Sequence, residues 1–304
     1  MKHSIIDRHP AALLAVTMAA LGSIGAFATE AGLDPVTTVF WRCAFATLFL
    51  GGWCLMKGYL ADPATTLPRL GVALAGGICI VLNWVAFFAG ISLTSIGTAT
   101  IVYHVQPFFV VLIGAMFLGE TIGRHQLAWM MGAFAGVVLA SGLTNATQPV
   151  SANWLWGVAF TLASAFLYAV ATILAKRFGQ LRPEITALTQ TFAGLLLLAP
   201  FADLRQSLPL ASWGWLISIG VFHTGIAYVL MYAAYPKLST PMIGGLTFLY
   251  PLAAISIDWI FYHHRLTWTQ GMGMALIALG TLGIRLGWGK SLFQRQAAAS
   301  PCEP

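Results

Sequence analysis

The chain has 304 residues, of which 59% are hydrophobic and only 8% charged. Soluble globular domains carry about 25% charged residues, so a soluble enzyme or binding domain is excluded. The formal charge of +6 raises nucleic acid as a partner, but the cations are scattered between apolar runs, and no nucleic-acid partner is expected.

Apolar runs of about 20 residues, the length that crosses a bilayer, are predicted at 10–29, 36–56, 70–91, 96–118, 126–143, 154–175, 185–202, 213–235, 239–262 and 267–285. The fold class is an all-α polytopic membrane protein with ten transmembrane helices. In the first run, Lys2, Arg8 and Ala26-Phe27-Ala28 imitate a cleaved signal peptide. The run is long for one, and it is expected to stay as a membrane helix. The second opens on Pro35 and carries Arg42. The third holds Asn83 near its centre, with Cys79 and Phe87 four residues to either side on the same face. Trp84, also near mid-span, either walls a cavity or faces lipid. The fourth has Tyr103, His104 and Gln106 just before Pro107 and closes on Leu118-Gly119-Glu120; Glu120 and Arg124 read as an interfacial helix-end pair. The fifth and tenth carry Gly132 with Gly136 and Gly283 with Gly287, spaced for close helix packing either within the chain or between two copies. The sixth offers Ser164 and Tyr168, and the eighth His223 and Thr224. The ninth has Phe248 and Tyr250 just before Pro251, and Asp258 beyond. The tail, 291–304, is expected to be disordered.

Basic residues set the orientation. With both termini cytoplasmic, Lys2, Arg8, Lys57, Arg69, Arg124 and Lys176 fall inside, as do Arg177, Arg182, Lys237, Arg285, Lys290 and Arg295. Arg205 and Arg265 fall outside. Such an imbalance is the positive-inside pattern. Asn145-Ala146-Thr147 then forms an outer-side sequon too close to the membrane to signify.

The halves repeat. A shift of 144 lays Pro107 on Pro251, Ser95 on Ser239, Gln126 on Gln270 and Gly136 on Gly280. A shift of 148 lays Pro35 on Pro183, Arg42 on Gln190 and Ala46 on Gly194. The expected units are a first five-helix repeat at 1–145 and a second at 150–290. Five is odd, so the second enters the bilayer from the opposite side. Inverted repeats with broken helices at matching depth point to a secondary transporter whose site lies between the halves.

Intramembrane polar residues are functional candidates by default. Asn83, Trp84, Phe87, Tyr103, His104, Gln106, Tyr168, His223, Phe248 and Tyr250 share one depth and form the expected substrate site. Pro107 and Pro251 lack an N–H and clash with the carbonyls of Tyr103 and Thr247. Each is either a plain kink or a helix break lining the cavity. His104 and His223 are either neutral interhelical imidazoles or proton sites. Arg42 and Asp258, both in the outer leaflet, either pair as an outer gate or reach interfacial water separately. Cys43, Cys54 and Cys79 read as inert packing thiols, and no metal or cofactor is expected. A Walker A loop is missing, because Gly289-Lys290-Ser291 has Ile284 where the first glycine belongs, and no nucleophile or zinc motif occurs, so the chain is not expected to be an enzyme.

Pro35 with Arg42 and Ala46, Pro107 followed by Leu118-Gly119-Glu120, and their echoes Pro183 and Pro251 resemble the ten-span EamA-type members of the drug/metabolite transporter superfamily, across about 10–288. Within it the chain is most similar to bacterial aromatic amino-acid exporters. The resemblance implies efflux of small metabolites through a cavity between the halves, with the fifth and tenth spans peripheral. It departs at Gln190, opposite Arg42, and at His264, opposite Glu120. Small four-span relatives exchange protons through an acid in their first span; here that span has none.

The resulting expectation is an inner-membrane exporter of aromatic and other neutral amino acids, facilitative, with substrate and lipids as partners, as a monomer or homodimer. A multidrug or other small-metabolite efflux carrier, with or without proton coupling, is the alternative. A sugar-nucleotide carrier is disfavoured, since no Lys or Arg is expected near the bilayer centre to meet phosphate.

Overall fold

The computed structural model describes residues 9–94, 96–141, 151–177, 181–263 and 267–289. Among them there are helices and no strands. The tail, the sequon, Ser95, His264 and Arg265 lie outside the described residues, as does the side chain of Asp258.

Local chemistry places the helix ends. The helix Pro35–Lys57 (α3) starts where the Asp34 carboxylate accepts from the amides of Val36 and Thr37, both at 3.0 Å, with Pro35 in the first turn. It stops at Gly58, whose φ of 67° is left-handed. The repeat-related Pro183 likewise occupies the first turn of Pro183–Leu198 (α9), there without a side-chain cap. The aligned glutamines also share a task. The Gln126 side chain accepts from the Gly123 amide (3.0 Å) at the start of Arg124–Ala140 (α7). Gln270 accepts from the Thr267 amide (2.9 Å) at the start of Trp268–Leu286 (α14).

Both central prolines coincide with helix breaks. The fourth run divides at His104–Val105 into Ile96–Tyr103 (α5) and Gln106–Leu118 (α6). The ninth divides at Phe248 into Thr240–Thr247 (α12) and Leu249–Phe261 (α13). Two further irregularities lacked a proline to announce them. The first run breaks at Gly22–Ser23 between Pro10–Leu21 (α1) and Ile24–Ala31 (α2). A Cβ on Gly22 would stand 2.7 Å from the Tyr250 carbonyl oxygen, so only glycine lets this break press on α13. The eighth run passes from Leu210–Ser218 (α10) through a π-helical stretch, Ile219–Ile226, into Ala227–Ala234 (α11).

Packing joins the halves throughout. Leu67–Leu93 (α4) lies along Ala152–Arg177 (α8), α3 along α9, α6 against α12, α11 against α1, and α7 along α14. Among the described residues, seven helical runs are long and apolar enough to cross a membrane: 10–31, 35–57, 67–93, 98–118, 152–176, 210–237 and 240–261. The other three expected spans coincide with the helices α7, α9 and α14, which do not meet both criteria.

The α7–α14 contact is made of backbone. A Cβ on Gly136 would meet the Gly273 carbonyl at 2.6 Å, and one on Gly280 the Trp129 carbonyl at 2.8 Å. Gly136 and Gly283 thus serve packing within the chain, whereas Gly132 and Gly287 have nothing within 4 Å of a built Cβ.

Candidate functional site

The site begins with Asn83 on α4, only 1% exposed. Its Nδ2 donates to the Ser164 carbonyl (2.8 Å) and hydroxyl oxygen (2.7 Å) on α8, and more weakly to the Tyr103 hydroxyl (3.4 Å). The Ser164 hydroxyl donates back to the Asn83 carbonyl at 2.9 Å. A carbonyl can only accept, so this pairing orients the amide and leaves Oδ1 turned away, buried and without a hydrogen-bond partner. Nε2 of Gln106, beside Pro107, is likewise buried and unpartnered.

From Asn83 an aromatic lining runs through the molecule. Tyr103 packs on Phe87 (ring centroids 4.8 Å apart), Tyr168 (6.3 Å) and His104 (6.0 Å), and His104 faces Tyr250 at 6.3 Å. The Tyr168 hydroxyl meets that of Tyr235 at 3.2 Å. Tyr235, Tyr232 and Tyr228 then climb one face of the eighth run, with centroid steps of 6.1 and 5.7 Å, to Trp84 at 6.1 Å. Tyr232 donates to the side-chain oxygen of Gln190. The space between tyrosines 168, 228, 232 and 235 does not admit even a water molecule. Small-molecule sites occupy roughly 300–1,000 Å³, so the lining is contracted and must open to hold a substrate.

Arg42 corrects the expected charge distribution. Its guanidinium, 7% exposed, is turned into this lining and lies 4.0 Å from the centroid of the Trp84 ring and 5.6 Å from that of Tyr228. Nε donates to the Thr224 hydroxyl oxygen at 2.6 Å, and Nη2 reaches the Tyr228 hydroxyl at 3.4 Å. Burial against two aromatic faces replaces interfacial water with cation–π attraction. The π-helical stretch makes this possible. Gly220 lies against the α3 backbone, where a Cβ would stand 3.1 Å from the Arg42 carbonyl oxygen. Thr224 donates five residues back to the Ile219 carbonyl (3.0 Å), which holds its oxygen toward Arg42. The buried lining therefore has a fixed cation, and Trp84 is its wall.

Other expected residues divide. His104 donates from Nδ1 to the Thr100 carbonyl (2.6 Å), a contact back onto the last turn of α5. His223 bonds the Ser23 hydroxyl through Nε2 (2.7 Å) and packs on Phe27 at 4.7 Å, joining the first run to the eighth. Phe248 is fully buried among Val111, Met130 and Ile277, toward α7 and α14, with its ring 6.3 Å from that of His104. Tyr228, Tyr232 and Tyr235 were not singled out from the sequence, although their spacing of four and three residues marks a helical face.

At one end of the bundle the chain is tied by charge. Glu120 pairs with Lys176 at 2.5 Å, not with the nearby Arg124 as expected, because α8 brings Lys176 alongside while Arg124 starts α7. Glu120 also accepts from the amide (2.7 Å) and hydroxyl (2.9 Å) of Thr240, and Lys176 donates to the Leu238 carbonyl. Burial pushes the Glu120 carboxyl up, but Lys176 and Thr240 outweigh it and hold the group below the usual carboxylate range. Asp62 and Arg182 pair at 2.5 Å, with Arg182 just ahead of α9.

This architecture has relatives. The EamA-like transporter family pattern matches residues 9–142 and again 155–286. The chain belongs to the EamA-like transporter family. This transporter is 34% identical over 276 residues to the uncharacterized transporter YxxF of Bacillus subtilis, covering 88% of this chain and 86% of that one. It is 28% identical over 198 residues to the pseudopaline exporter CntI of Pseudomonas aeruginosa, covering 63% and 66%. A solved crystal structure superposes with a TM-score of 0.81 at 18% identity, covering 93% of this transporter and 98% of that chain, a likeness of fold. The protein is thus a multi-pass membrane transporter and not an enzyme.

Proposed function

We propose that this transporter exports neutral amino acids, aromatic ones foremost, across a bacterial inner membrane by alternating access between two inverted five-helix repeats, 1–145 and 150–290. The observation that carries the reading is the lining itself. One continuous set of aromatic rings, drawn from both halves, adjoins two buried amide atoms that the protein leaves unpaired. Aromatic walls suit large side chains through apolar burial and ring packing, and amides can meet both ends of a zwitterion. The pairing of α3 with α9, α6 with α12 and α7 with α14 supports a two-fold relation between the halves, because each is a run beside its own repeat-mate. The exporter assigned among the relatives supports the direction.

The carrier is read as facilitative, since a zwitterion moves no net charge through the membrane potential and no carboxylate is expected at mid-depth. In proteoliposomes loaded with tyrosine, labelled tyrosine and tryptophan should show counterflow at equal pH with a protonophore present. A panel of amino acids giving no counterflow overturns the substrate reading. Counterflow that disappears with the protonophore and returns under an imposed pH gradient overturns the facilitative reading and makes His104 and His223 the coupling candidates.

The charge pattern supports cytoplasmic termini, which puts the Glu120–Lys176 contact on the cytoplasmic side as an inner gate, closed in this structure. Glu120 has a depressed pKa, so its contribution to closure is present above the ordinary carboxylate range and is lost as pH falls through the folded-state value. Ile243, 1% exposed, lies one turn after Thr240 on α12. In a background without native cysteines, Ile243→Cys should react with an impermeant maleimide only in inside-out vesicles, and several-fold faster with Glu120→Gln or on acidification. Labelling from the periplasmic side reverses the orientation, and an unchanged rate with Glu120→Gln removes the gate.

A further inference from the structure

The Arg42 guanidinium is more than nine-tenths buried, yet it has no carboxylate within ion-pair distance among the described residues. Arginine carries five N–H donors. Here Nε is bound to Thr224 and Nη2 reaches Tyr228 only at 3.4 Å, which leaves donors over for a ligand. A buried, incompletely paired cation is costly in a membrane protein. The other half of the molecule shows that the fold does not require one. Gln190 occupies the repeat-related position on α9, is 4% exposed and neutral, and its side-chain oxygen accepts from Tyr232, the neighbour of Tyr228 on the same tyrosine face. The two halves therefore present a cation and a neutral group to one lining. A second feature points to a ligand: Oδ1 of Asn83, next in sequence to the Trp84 ring beneath Arg42, is a buried acceptor without a donor.

We propose that Arg42 is the carboxylate anchor of the transported molecule, and hence the residue that sets its substrate class. The planar guanidinium meets a carboxylate through its free donors. Asn83 Oδ1 accepts from the substrate ammonium, and the tyrosine face receives the side chain. Molecules that lack a carboxylate leave the cation unpaired in a dry site and are rejected for that reason. The idea rests on the amino-acid reading but separates from it, because a carboxylate alone satisfies Arg42.

The test uses the full-length transporter in proteoliposomes and four probes: tyrosine, tyramine, tyrosinamide and 3-(4-hydroxyphenyl)propionate. Against labelled tyrosine, wild type should be inhibited by the two carboxylates, and on the order of ten- to hundredfold more weakly by tyramine and tyrosinamide. Arg42→Gln, which copies Gln190, should erase this preference, and Arg42→Lys should keep part of it. Tyramine or tyrosinamide competing as well as tyrosine in wild type overturns the anchor while leaving amino-acid transport standing. Uptake of the labelled propionate together with no tyrosine counterflow keeps the anchor and overturns the amino-acid reading. Should Arg42→Gln fail to yield a monodisperse protein, the wild-type probes decide alone. A folded Arg42→Gln protein with an unaltered carboxylate preference overturns the proposal.

Discussion

Gly273→Leu is expected to eliminate the folded transporter. A Cβ at this position would lie 2.5 Å from the Ala140 amide nitrogen and 2.5 Å from the Gly136 carbonyl oxygen. Both obstacles are backbone of α7, so no side chain can rotate away and the helices must separate. Overpacking in an ordinary core costs about 1–3 kcal/mol, where side chains share the strain; here the shift spreads along the whole α7–α14 contact. Size-exclusion chromatography in mild detergent should show loss of the monodisperse peak. Gly132→Leu is the matched control, since nothing lies within 4 Å of its built Cβ. Equal stability of the two variants would contradict this helix packing.

Gln106→Leu should move stability and transport in opposite directions. Its Nε2 is buried beside the Pro107 break without a partner, and an unpaired buried amide costs about 1–3 kcal/mol. Leucine fills a similar volume without that cost, so the thermal midpoint should hold or rise by a few degrees. If a substrate is the missing partner, counterflow should drop about tenfold or more. A variant that is less stable yet transports normally would make Gln106 a packing residue and remove it from the site.

The helix scaffold was legible because its signals are local. Pro35 and Pro183 sit in the first turns of their helices, and the prolines at 107 and 251 lie beside the breaks they announce. The break at Gly22 and the π-helical stretch at 219–226 were not legible. Both answer to neighbours on other helices, α13 for Gly22 and α3 for Gly220.

The sequence by itself determined that this chain crosses a membrane, that its halves repeat, and which intramembrane residues are polar. The tertiary structure alone decided which way they turn. In water an amphipathic stripe names the buried face of a helix, but a helix that is apolar all round presents lipid and core with similar side chains. Hence the tyrosine face of the eighth run carried no polarity contrast to mark it as a lining. Gly132 and Gly136 looked alike until α14 lay against only one of them. Arg42 was expected to pair with Asp258 as an outer gate or to reach interfacial water, and its position on α3 gave no sign of burial in the interior. The outcome rested on Trp84, Thr224 and Tyr228, residues distant in sequence that meet it only once the helices have packed.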